Sequence, residues 1–129
     1  MTGWTQDELA AIGEAEELQI APAQGDGTLR RATAIWVTRV GDEIFIRSYR
    51  GHDGRWFQAA QQSHEAEISA GGVRKRVRFI AIDDAETQEA IDEAYRSKYG
   101  RYGARYIDPM IAEAARGTTL ALVPLGGDA

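Results

Sequence analysis

The chain has 129 residues, of which 43% are hydrophobic and 27% are charged, a composition that predicts one soluble globular domain over residues 1–129. Its formal net charge of -5 at pH 7 disfavours a general nucleic-acid or membrane-surface binder, and no apolar run is long enough to span a bilayer. Cysteine is absent, which excludes disulfides, a thiol nucleophile and a thiolate metal site. Because the N-terminus also lacks the pattern of a secretory signal, we expect a cytoplasmic protein.

The first predicted element is a helix that begins after Thr5. The Thr5 hydroxyl can accept a hydrogen bond from a free amide, and Glu8 completes a capping box three residues later. Trp4 can pack against Leu9 across this helix start. Residues 18–24 predict an edge strand at most, because Pro22 has no N–H to donate to a sheet.

Residues 33–49 predict the hairpin around which the fold is organised. Gly41-Asp42 lies between two apolar-rich runs and is typical of a two-residue hairpin turn. The resulting register pairs Arg39–Ile44, Val37–Ile46 and Ile35–Ser48 on one face, and Thr38–Phe45, Trp36–Arg47 and Ala34–Tyr49 on the other. One face is then aliphatic and the other is aromatic and cationic, so we expect both to be covered.

A short helix over residues 55–62 precedes a second predicted hairpin, formed by residues 64–70 and 73–82 around the turn Gly71-Gly72. In its register Glu67 opposes Arg76 and Glu65 opposes Arg78, which predicts a solvated face of opposite charges. Lys75 falls on the inner face among apolar residues. This lysine is the exception to the pattern.

The C-terminal third predicts two helices and a strand. Asp83-Asp84 caps a helix over residues 85–99, with Glu86 placed for a capping box and Gly100 for the stop. Asp108-Pro109 predicts the start of a short helix over residues 110–116, since proline suits a first turn. A last strand over residues 118–123 precedes a glycine-containing tail.

Arg47 and its predicted neighbour Trp36 are the first candidate site. A flat ligand could lie against Trp36, Phe45 or Tyr49 while Arg47 holds its phosphate or carboxylate. Alternatively, Arg47 lies across Trp36 as a cation–π pair with its charged end in water. A half-buried arginine needs an anion or an aromatic face in either case.

Three further residues and one segment are candidates for the same site or for a separate contact. Ser48 could add a hydroxyl contact to a phosphate or could bond to backbone, and Lys75 could be a second anion ligand or could extend past a sheet edge. Trp56 could be a core residue or the wall of a cofactor pocket. The basic, tyrosine-rich residues 98–106 could stack on single-stranded nucleic acid, but the acidic total charge favours a dimer contact or a pocket rim.

Hydrolytic and metal chemistry find little support in the sequence. His52 and His64 have no ligand spacing with acidic residues, and neither a nucleophile elbow nor a dinucleotide or Walker glycine pattern is present. Paired carboxylates such as Asp92-Glu93 are interpreted as parts of solvated helix faces. We therefore expect no metal and assign no catalytic residue.

The residues of the first hairpin and of the helix over 85–99 carry a family resemblance. The segments concerned are Ile35-Trp36-Val37, Val40-Gly41-Asp42-Glu43, Ile46-Arg47-Ser48-Tyr49-Arg50-Gly51, Trp56, Ile91-Asp92, Ala94-Tyr95-Arg96 and Lys98-Tyr99-Gly100. They resemble an uncharacterised family, domain of unknown function 2255, over residues 18–124. That family is in turn similar to the flavin-binding split barrels, which include pyridoxamine-phosphate oxidases and deazaflavin-dependent nitroreductases.

The resemblance implies a site as well as a fold. In such barrels basic and hydroxyl side chains hold the flavin phosphate near a dimer interface, which implies that Arg47, Ser48 and Lys75 contact the phosphate and that Trp56 lies near the ring. The deazaflavin enzymes carry a glycine-lysine-serine-glycine loop ahead of the central hairpin. Here that place reads Gly27-Thr28-Leu29-Arg30-Arg31, where only Thr28, Arg30 and Arg31 could substitute.

These observations predict an α+β, mainly antiparallel protein, a six-stranded split β-barrel with flanking helices that forms a homodimer. The expected function is that of a flavin- or deazaflavin-binding, oxidoreductase-like protein. The predicted cofactor-binding residues are Arg47, Ser48, Lys75, Trp36, Trp56 and Tyr49. The cofactor would be FMN or a deazaflavin, or there would be none. The alternative is a non-catalytic dimeric module that binds a small aromatic or acidic ligand, so the sequence does not decide whether the protein is an enzyme.

Overall fold

A computed structural model describes residues 3–125 of the chain. The strands are β1 Leu18–Pro22, β2 Thr33–Ile35, β3 Thr38–Val40, β4 Glu43–Ile46, β5 Glu65–Ala70, β6 Val73–Ala81 and β7 Leu120–Pro124. The helices are α1 Gln6–Glu14, α2 Arg55–Ser63, α3 Ala85–Tyr99, α4 Ala104–Ile111 and α5 Glu113–Arg116, with 3-10 turns at Gly51–Asp53 and Gly100–Tyr102. None of the helices within residues 3–125 is long and apolar enough to cross a membrane.

All seven strands form one antiparallel sheet in the order β2-β1-β5-β6-β7-β4-β3. The two end strands of this order, β2 and β3, follow each other in the chain and are joined only by Trp36 and Val37. Since two residues span only about 7 Å, the sheet must curl until its two edges meet. The predicted α+β split barrel with outer helices is confirmed, with seven strands instead of six.

The first hairpin is confirmed around its turn and wrong beyond it. Gly41 has a φ of 62°, as its turn position requires, and the pairs Thr38–Phe45 and Arg39–Ile44 form as predicted. The pairs predicted for residues 34–36 with 47–49 do not form, because β2 turns away to pair with β1. The second hairpin has its predicted register throughout, including Glu67–Arg76 and Glu65–Arg78.

Two other predictions need correction. β1 is not an edge strand, since it pairs with both β2 and β5; Pro22 is tolerated because it lies beyond Ile20, the last residue paired with β2. Pro109 does not start a helix but lies inside α4, only two residues before that helix ends at Ile111. The lost hydrogen bond is therefore confined to the last turn. The predicted glycine-containing tail at residues 126–129 lies outside the described residues.

Helix α3 has its predicted bounds, Ala85–Tyr99, and its predicted aspartate cap, but details at its two ends differ. Its N-cap is Asp84, whose side chain accepts a hydrogen bond from the Thr87 amide, so Glu86 is not in a capping-box position. The α-helix ends before Gly100, as predicted, but Gly100 has right-handed helical angles and begins a 3-10 turn. The buried face consists of Gln88, Ile91, Asp92, Tyr95 and Tyr99.

Strand β4 separates two hydrophobic cores, which confirms that both faces of the first hairpin are covered. Ile44 and Ile46 point into the larger core, under α1 and α2, while Phe45 points into a second core with α3 and α4. The larger core also contains Trp4, whose indole Nε1 donates to the Leu122 carbonyl at 2.9 Å.

Helix α1 packs against β3, β4 and β6, and its N-terminal cap forms as predicted. Thr5 and Glu8 form both hydrogen bonds of the capping box. Glu8 Oε2 also lies 2.8 Å from Lys75 Nζ, so this carboxylate is bound from both sides. The hydrogen bond from Lys75 is the main cause that holds the pKa of Glu8 below its ordinary value, with the Thr5 amide adding to it.

We expect Glu8→Gln to lower the free energy of unfolding at pH 7 by up to about 1 kcal/mol, because the variant loses the ion pair with Lys75, whereas the glutamine amide oxygen can still accept the capping hydrogen bond from the Thr5 amide. A lowered folded-state pKa contributes stability above the unfolded-state value and loses it as the pH falls. Urea denaturation between pH 7 and pH 3 should therefore show the difference between the two proteins shrinking below about pH 4.5. Glu14→Gln, at the exposed end of the same helix, is the control and should change stability little. A difference that stays constant down to pH 3 would contradict this assignment.

Candidate functional site

A pocket of about 710 Å³ opens where the predicted first hairpin separates. One wall is β2 and Trp36, and the other is the segment that follows β4. Its residues are Glu17, Thr33, Ala34, Ile35, Trp36, Arg47, Ser48, Tyr49, Arg50, Gly54, Arg55, Trp56, Tyr106 and Met110. Its volume and its position, where the two edges of the curled sheet come together, both suit a small-molecule site.

Arg47 is the first residue after β4 and is almost completely buried, with 1% of its surface exposed. Its Nε donates to Thr119 Oγ1 at 2.9 Å, and its Nη1 donates to Asp92 Oδ1 at 2.7 Å and to the Met110 carbonyl at 2.9 Å. Its Nη2 donates to both the side chain and the carbonyl of Gln88. All five guanidinium N–H groups thus have acceptors within the chain.

The anion that Arg47 requires is therefore Asp92. Both of its carboxylate oxygens are used, since Oδ2 lies 2.7 Å from Arg116 Nη2. Glu89 balances the second arginine from the surface, at 3.0 Å. Asp92 is 4% exposed, so the prediction that it belongs to a solvated helix face is wrong.

This network bears on the predicted phosphate contact of Arg47. Because no guanidinium N–H is left for a ligand phosphate, the arginine positions the end of β4 instead of offering a free donor. Its aromatic partner is also different, since the guanidinium carbon lies 5.4 Å from the ring centre of Tyr95 and not over Trp36.

Ser48 borders the pocket and has an unusual environment. It is 1% exposed, and its amide donates to Thr118 Oγ1 at 2.8 Å. Its own hydroxyl has no hydrogen-bond partner among residues 3–125. An unsatisfied buried hydroxyl costs about 1–3 kcal/mol, so it marks a place where a ligand atom could be accommodated.

The beginning of α2 faces the same pocket. Its N-cap, Gly54, has no side chain to accept from the first-turn amides. A Cβ on this glycine would overlap Ser48 Oγ. Glycine is therefore required here by close approach and not by its backbone angles, since its φ is -65°. Arg50 and Arg55 are exposed at the same end of the pocket and form no ion pair with any residue that the structure describes.

Aromatic rings form the rest of the pocket wall. Trp36 is half-buried and stacks on Tyr99, with ring centres 3.9 Å apart and an interplanar angle of 4°. Trp56 is 9% exposed and meets Phe57 edge to face. Tyr49 and Tyr106 stand at the rim, 61% and 49% exposed. Phe45, by contrast, lies in the second core and does not border the pocket.

Lys75 lies elsewhere in the fold. It faces inward as predicted, but its ammonium binds Glu8 and lies 6.0 Å from the ring centre of Trp4. It is not among the residues that line the pocket. The structure therefore brings Trp36, Ser48, Tyr49 and Trp56 together at one site, with Arg47 behind them, and does not bring Lys75 to them.

The segment that stands at the place of the deazaflavin-binding loop, residues 27–31, is also outside the pocket. Thr28 Oγ1 donates to Asp26 Oδ1 at 2.6 Å and accepts from the Gln24 side chain at 3.0 Å. Arg30 donates its amide to the Pro22 carbonyl and borders a different, smaller cavity. A phosphate in the main pocket would have to be held by other residues.

Sequence reasoning missed Gly54, Arg50 and Arg55 as site residues, and Gln88 and Asp92 as the partners of Arg47. A signal for the second group was present, because positions 88, 91, 92, 95 and 99 follow the spacing of one helix face. A polar pair inside such a stripe predicts a buried partner. Among the described residues no cluster of three or more histidine, aspartate or glutamate side chains could hold a metal ion.

The curled antiparallel sheet and its outer helices have the split-barrel fold. The chain belongs to the DUF2255 family, described as "Uncharacterized protein conserved in bacteria", whose model matches residues 8–122. A comparison with curated protein sequences found no match.

Solved structures share the fold at low sequence identity. A candidate pyridoxamine 5'-phosphate oxidase from Listeria innocua has a TM-score of 0.61 at 12% identity, over 91% of this chain and 90% of that one. An FAD-binding protein from Mesorhizobium loti has a TM-score of 0.54 at 12% identity, over 95% and 89%. An F420 reductase has a TM-score of 0.53 at 12% identity, over 91% and 92%. At these identities the likeness establishes the fold alone.

We expect Asp92→Asn to destabilise the protein by about 3–5 kcal/mol, because it removes the carboxylate between two arginines and leaves Arg47 as an uncompensated buried charge. Denaturation in guanidinium chloride, monitored by tryptophan fluorescence, measures this change. Glu93→Gln is the matched control on the next residue of α3, where the carboxylate is 71% exposed and pairs only with Arg96. Its effect should stay below about 0.5 kcal/mol. Equal effects of the two variants would show that the buried network does not stabilise the fold.

Proposed function

We propose that the protein binds a phosphate-bearing flavin or deazaflavin, of which FMN is the simplest, in the pocket between β2 and the segment after β4. The observation that carries this proposal is the buried Ser48 hydroxyl, which borders the pocket without a hydrogen-bond partner in the described chain. A ligand oxygen within reach would satisfy it. The proposal includes an oxidoreductase-like activity that depends on the bound cofactor.

The anionic end of the ligand would lie against the start of α2. A helix of nine residues whose N-cap lacks a side chain presents its first-turn amides to an anion, and the helix dipole adds to the attraction. Ser48 Oγ would donate to the same anion. The exposed Arg50 and Arg55 supply positive charge at the pocket mouth.

The ring system would lie between the aromatic walls. Trp36 is held in place by its stack on Tyr99, and Trp56 by its contact with Phe57, so neither wall has to be ordered on binding. The pocket volume of about 710 Å³ lies within the usual range for sites that hold a flat organic cofactor.

The cofactor would supply the redox chemistry, and the residues of this chain would bind it, orient it and exclude water from one of its faces. Arg47 would contribute as a positioning residue, because its network fixes the point at which Ser48 leaves β4. No general acid or base is required of the protein in such a scheme. The FAD-binding protein and the F420 reductase that share the fold support the class of ligand.

The homodimer predicted from the sequence remains part of this proposal. Tyr49 and Tyr106 are large, exposed rings at the mouth of the pocket, and aromatic residues of this kind are enriched in protein interfaces. A second copy of the chain over the mouth would cover both rings and would shield a bound ligand from water.

A second candidate is the binding module for a small aromatic or acidic ligand. The observation in its favour is that Thr28 and Arg30, at the place of the deazaflavin-binding loop, do not border the pocket. A site that retains only its ring walls and a short anion-binding end would suit an aromatic carboxylate. Such a module would bind benzoate but neither FMN nor a deazaflavin.

Replacing Ser48 by alanine tests the anion-binding end. We expect Ser48→Ala to weaken FMN binding about tenfold, which corresponds to ~1.4 kcal/mol, because one hydrogen bond to the phosphate is lost. Riboflavin has no phosphate, so its affinity should change by less than about twofold. The free energy of unfolding should stay the same or rise slightly, since an unsatisfied buried hydroxyl has been removed.

Fluorescence titration of FMN, riboflavin and 5-deaza-FMN, together with urea denaturation, measures these quantities. Binding of none of the three to the wild-type protein would overturn the proposal. Equal losses of FMN and riboflavin affinity in Ser48→Ala would place the serine away from the phosphate, and a loss of stability would show that its hydroxyl serves the fold.

Gly54→Ala tests the close approach at the start of α2. The new Cβ would overlap Ser48 Oγ and displace that side chain into the space of the phosphate, so FMN binding should weaken by on the order of tenfold or more. Gly100→Ala is the control, because a Cβ at Gly100 meets open space and the backbone there is right-handed. The same titration should find the control variant unchanged. An unchanged FMN affinity in Gly54→Ala would contradict the proposed phosphate position.

A further inference from the structure

A second cavity, of about 300 Å³, lies between α1, β3 and α3 and shares no residue with the main pocket. It is lined by Ala10, Gly13, Glu14, Thr38, Arg39, Ala94, Ser97 and Lys98. Two cations, Arg39 and Lys98, therefore border one small cavity. Neither is used by the proposed function.

Lys98 is half-buried without a carboxylate partner in the described part of the chain. Its Nζ donates to the Val37 carbonyl at 2.8 Å and lies 5.0 Å from the ring centre of Tyr99. No carboxylate oxygen among residues 3–125 lies within 4 Å of it. The half-buried ammonium has thus lost part of its hydration without gaining an ion pair.

Burial and the neighbouring charges change the pKa of Lys98 in opposite directions. Burial lowers the pKa of Lys98 to about 8, and the charge of Glu16 opposes part of that change. Glu16 is itself bound by Arg101, while Glu14 and Arg39 face the cavity from α1 and β3. A lowered pKa leaves a larger fraction of Lys98 neutral, and so nucleophilic, at pH 7 than is the case for an ordinary lysine.

We propose that Lys98 is a site of acylation by small acyl phosphates, with the cavity receiving the acyl group. The Nζ lone pair attacks the carbonyl carbon and forms a C–N bond. The bond from that carbon to the phosphate oxygen breaks, and phosphate leaves with its electron pair. Nζ loses one proton to solvent, so the products are an amide and inorganic phosphate, with no change of oxidation state.

Arg39 is the reason for choosing an acyl phosphate over other acyl donors. Its Nε donates to the Gly41 carbonyl at 2.8 Å, but the guanidinium forms no ion pair within the described part of the chain. A phosphate group in the cavity would give it one. The volume of the cavity limits the acyl group to a short one.

The sequence provides its own reference, because Lys75 is the only other lysine. Lys75 is held by Glu8 at 2.8 Å and lies outside the cavity. The full chain would be incubated with acetyl phosphate between pH 6.5 and pH 9.5, and acetylation of the two lysines would be followed by peptide mass spectrometry. At pH 7 we expect Lys98 to react on the order of tenfold faster than Lys75. Its rate should rise with pH and level off above about pH 8.

The same reaction in guanidinium chloride tests whether the preference for Lys98 depends on the folded structure. In the unfolded chain, the ratio of the Lys98 and Lys75 acetylation rates should fall to about one. Arg39→Gln should slow the reaction of Lys98 with acetyl phosphate several-fold but not its reaction with uncharged acetic anhydride. Arg74→Gln, whose side chain is 71% exposed, is the control and should leave both unchanged. Equal rates for Lys75 and Lys98 in the folded protein, a preference that survives unfolding, or equal effects of Arg39→Gln on both reagents would each overturn the proposal.

Discussion

The buried ion pair between Arg47 and Asp92 is the interaction on which the arrangement of the site depends. Taking an arginine and a carboxylate out of water costs several kcal/mol per ion, and only complete hydrogen bonding offsets that cost. Here the bonding is complete, since every guanidinium N–H has an acceptor and both oxygens of Asp92 face an arginine. Because the acceptors come from α3, from α4 and from the residue before β7, this one side chain connects the end of β4 to three other parts of the fold.

The pocket forms because the two strands of the first hairpin separate next to this ion pair. A regular hairpin would keep residues 34–36 paired with residues 47–49, and no space would remain between the strands. Instead Arg47 is held toward α3, and residues 33–35 pair with β1 on the other edge of the curled sheet. The two strands that begin as partners at Thr38–Phe45 therefore diverge within two residues. The opening between them is the pocket that Ser48 and Trp36 line.

The features that depend on residues close together in the chain were predicted correctly from the sequence. The glycine turns at Gly41 and Gly71 set the registers of both hairpins, and Thr5 with Glu8 set the start of α1, because each of these features depends on residues close in the chain. The same reasoning failed at Pro109. A proline in the first turn is the usual arrangement, but burial of Ile107 and Met110 in the second core extends α4 on both sides of it.

The sequence predicted the type of interaction that Arg47 requires but not the residues that provide it. The expectation that Arg47 needs an anion or an aromatic ring was sound, and the structure supplies both in Asp92 and Tyr95. Those partners lie more than forty residues away, on a helix whose inward face could be read in more than one way from its spacing. Gly54 was missed for a similar reason. Only the close approach of Ser48 distinguishes it from the many glycines that are needed for their backbone angles.

The total charge of the chain is a poor guide to the charge of its pocket. The net value of -5 argues against binding a long polyanion, which would have to lie along much of the surface. A single phosphate experiences only the charges within about 8 Å, beyond which exposed charges are screened at physiological salt. Within the site Arg47 is neutralised by Asp92, and the remaining charges that line it are Glu17, Arg50 and Arg55. An acidic protein can thus carry a net positive charge around one pocket, next to the start of α2, and the proposed phosphate-bearing ligand would require no more than that.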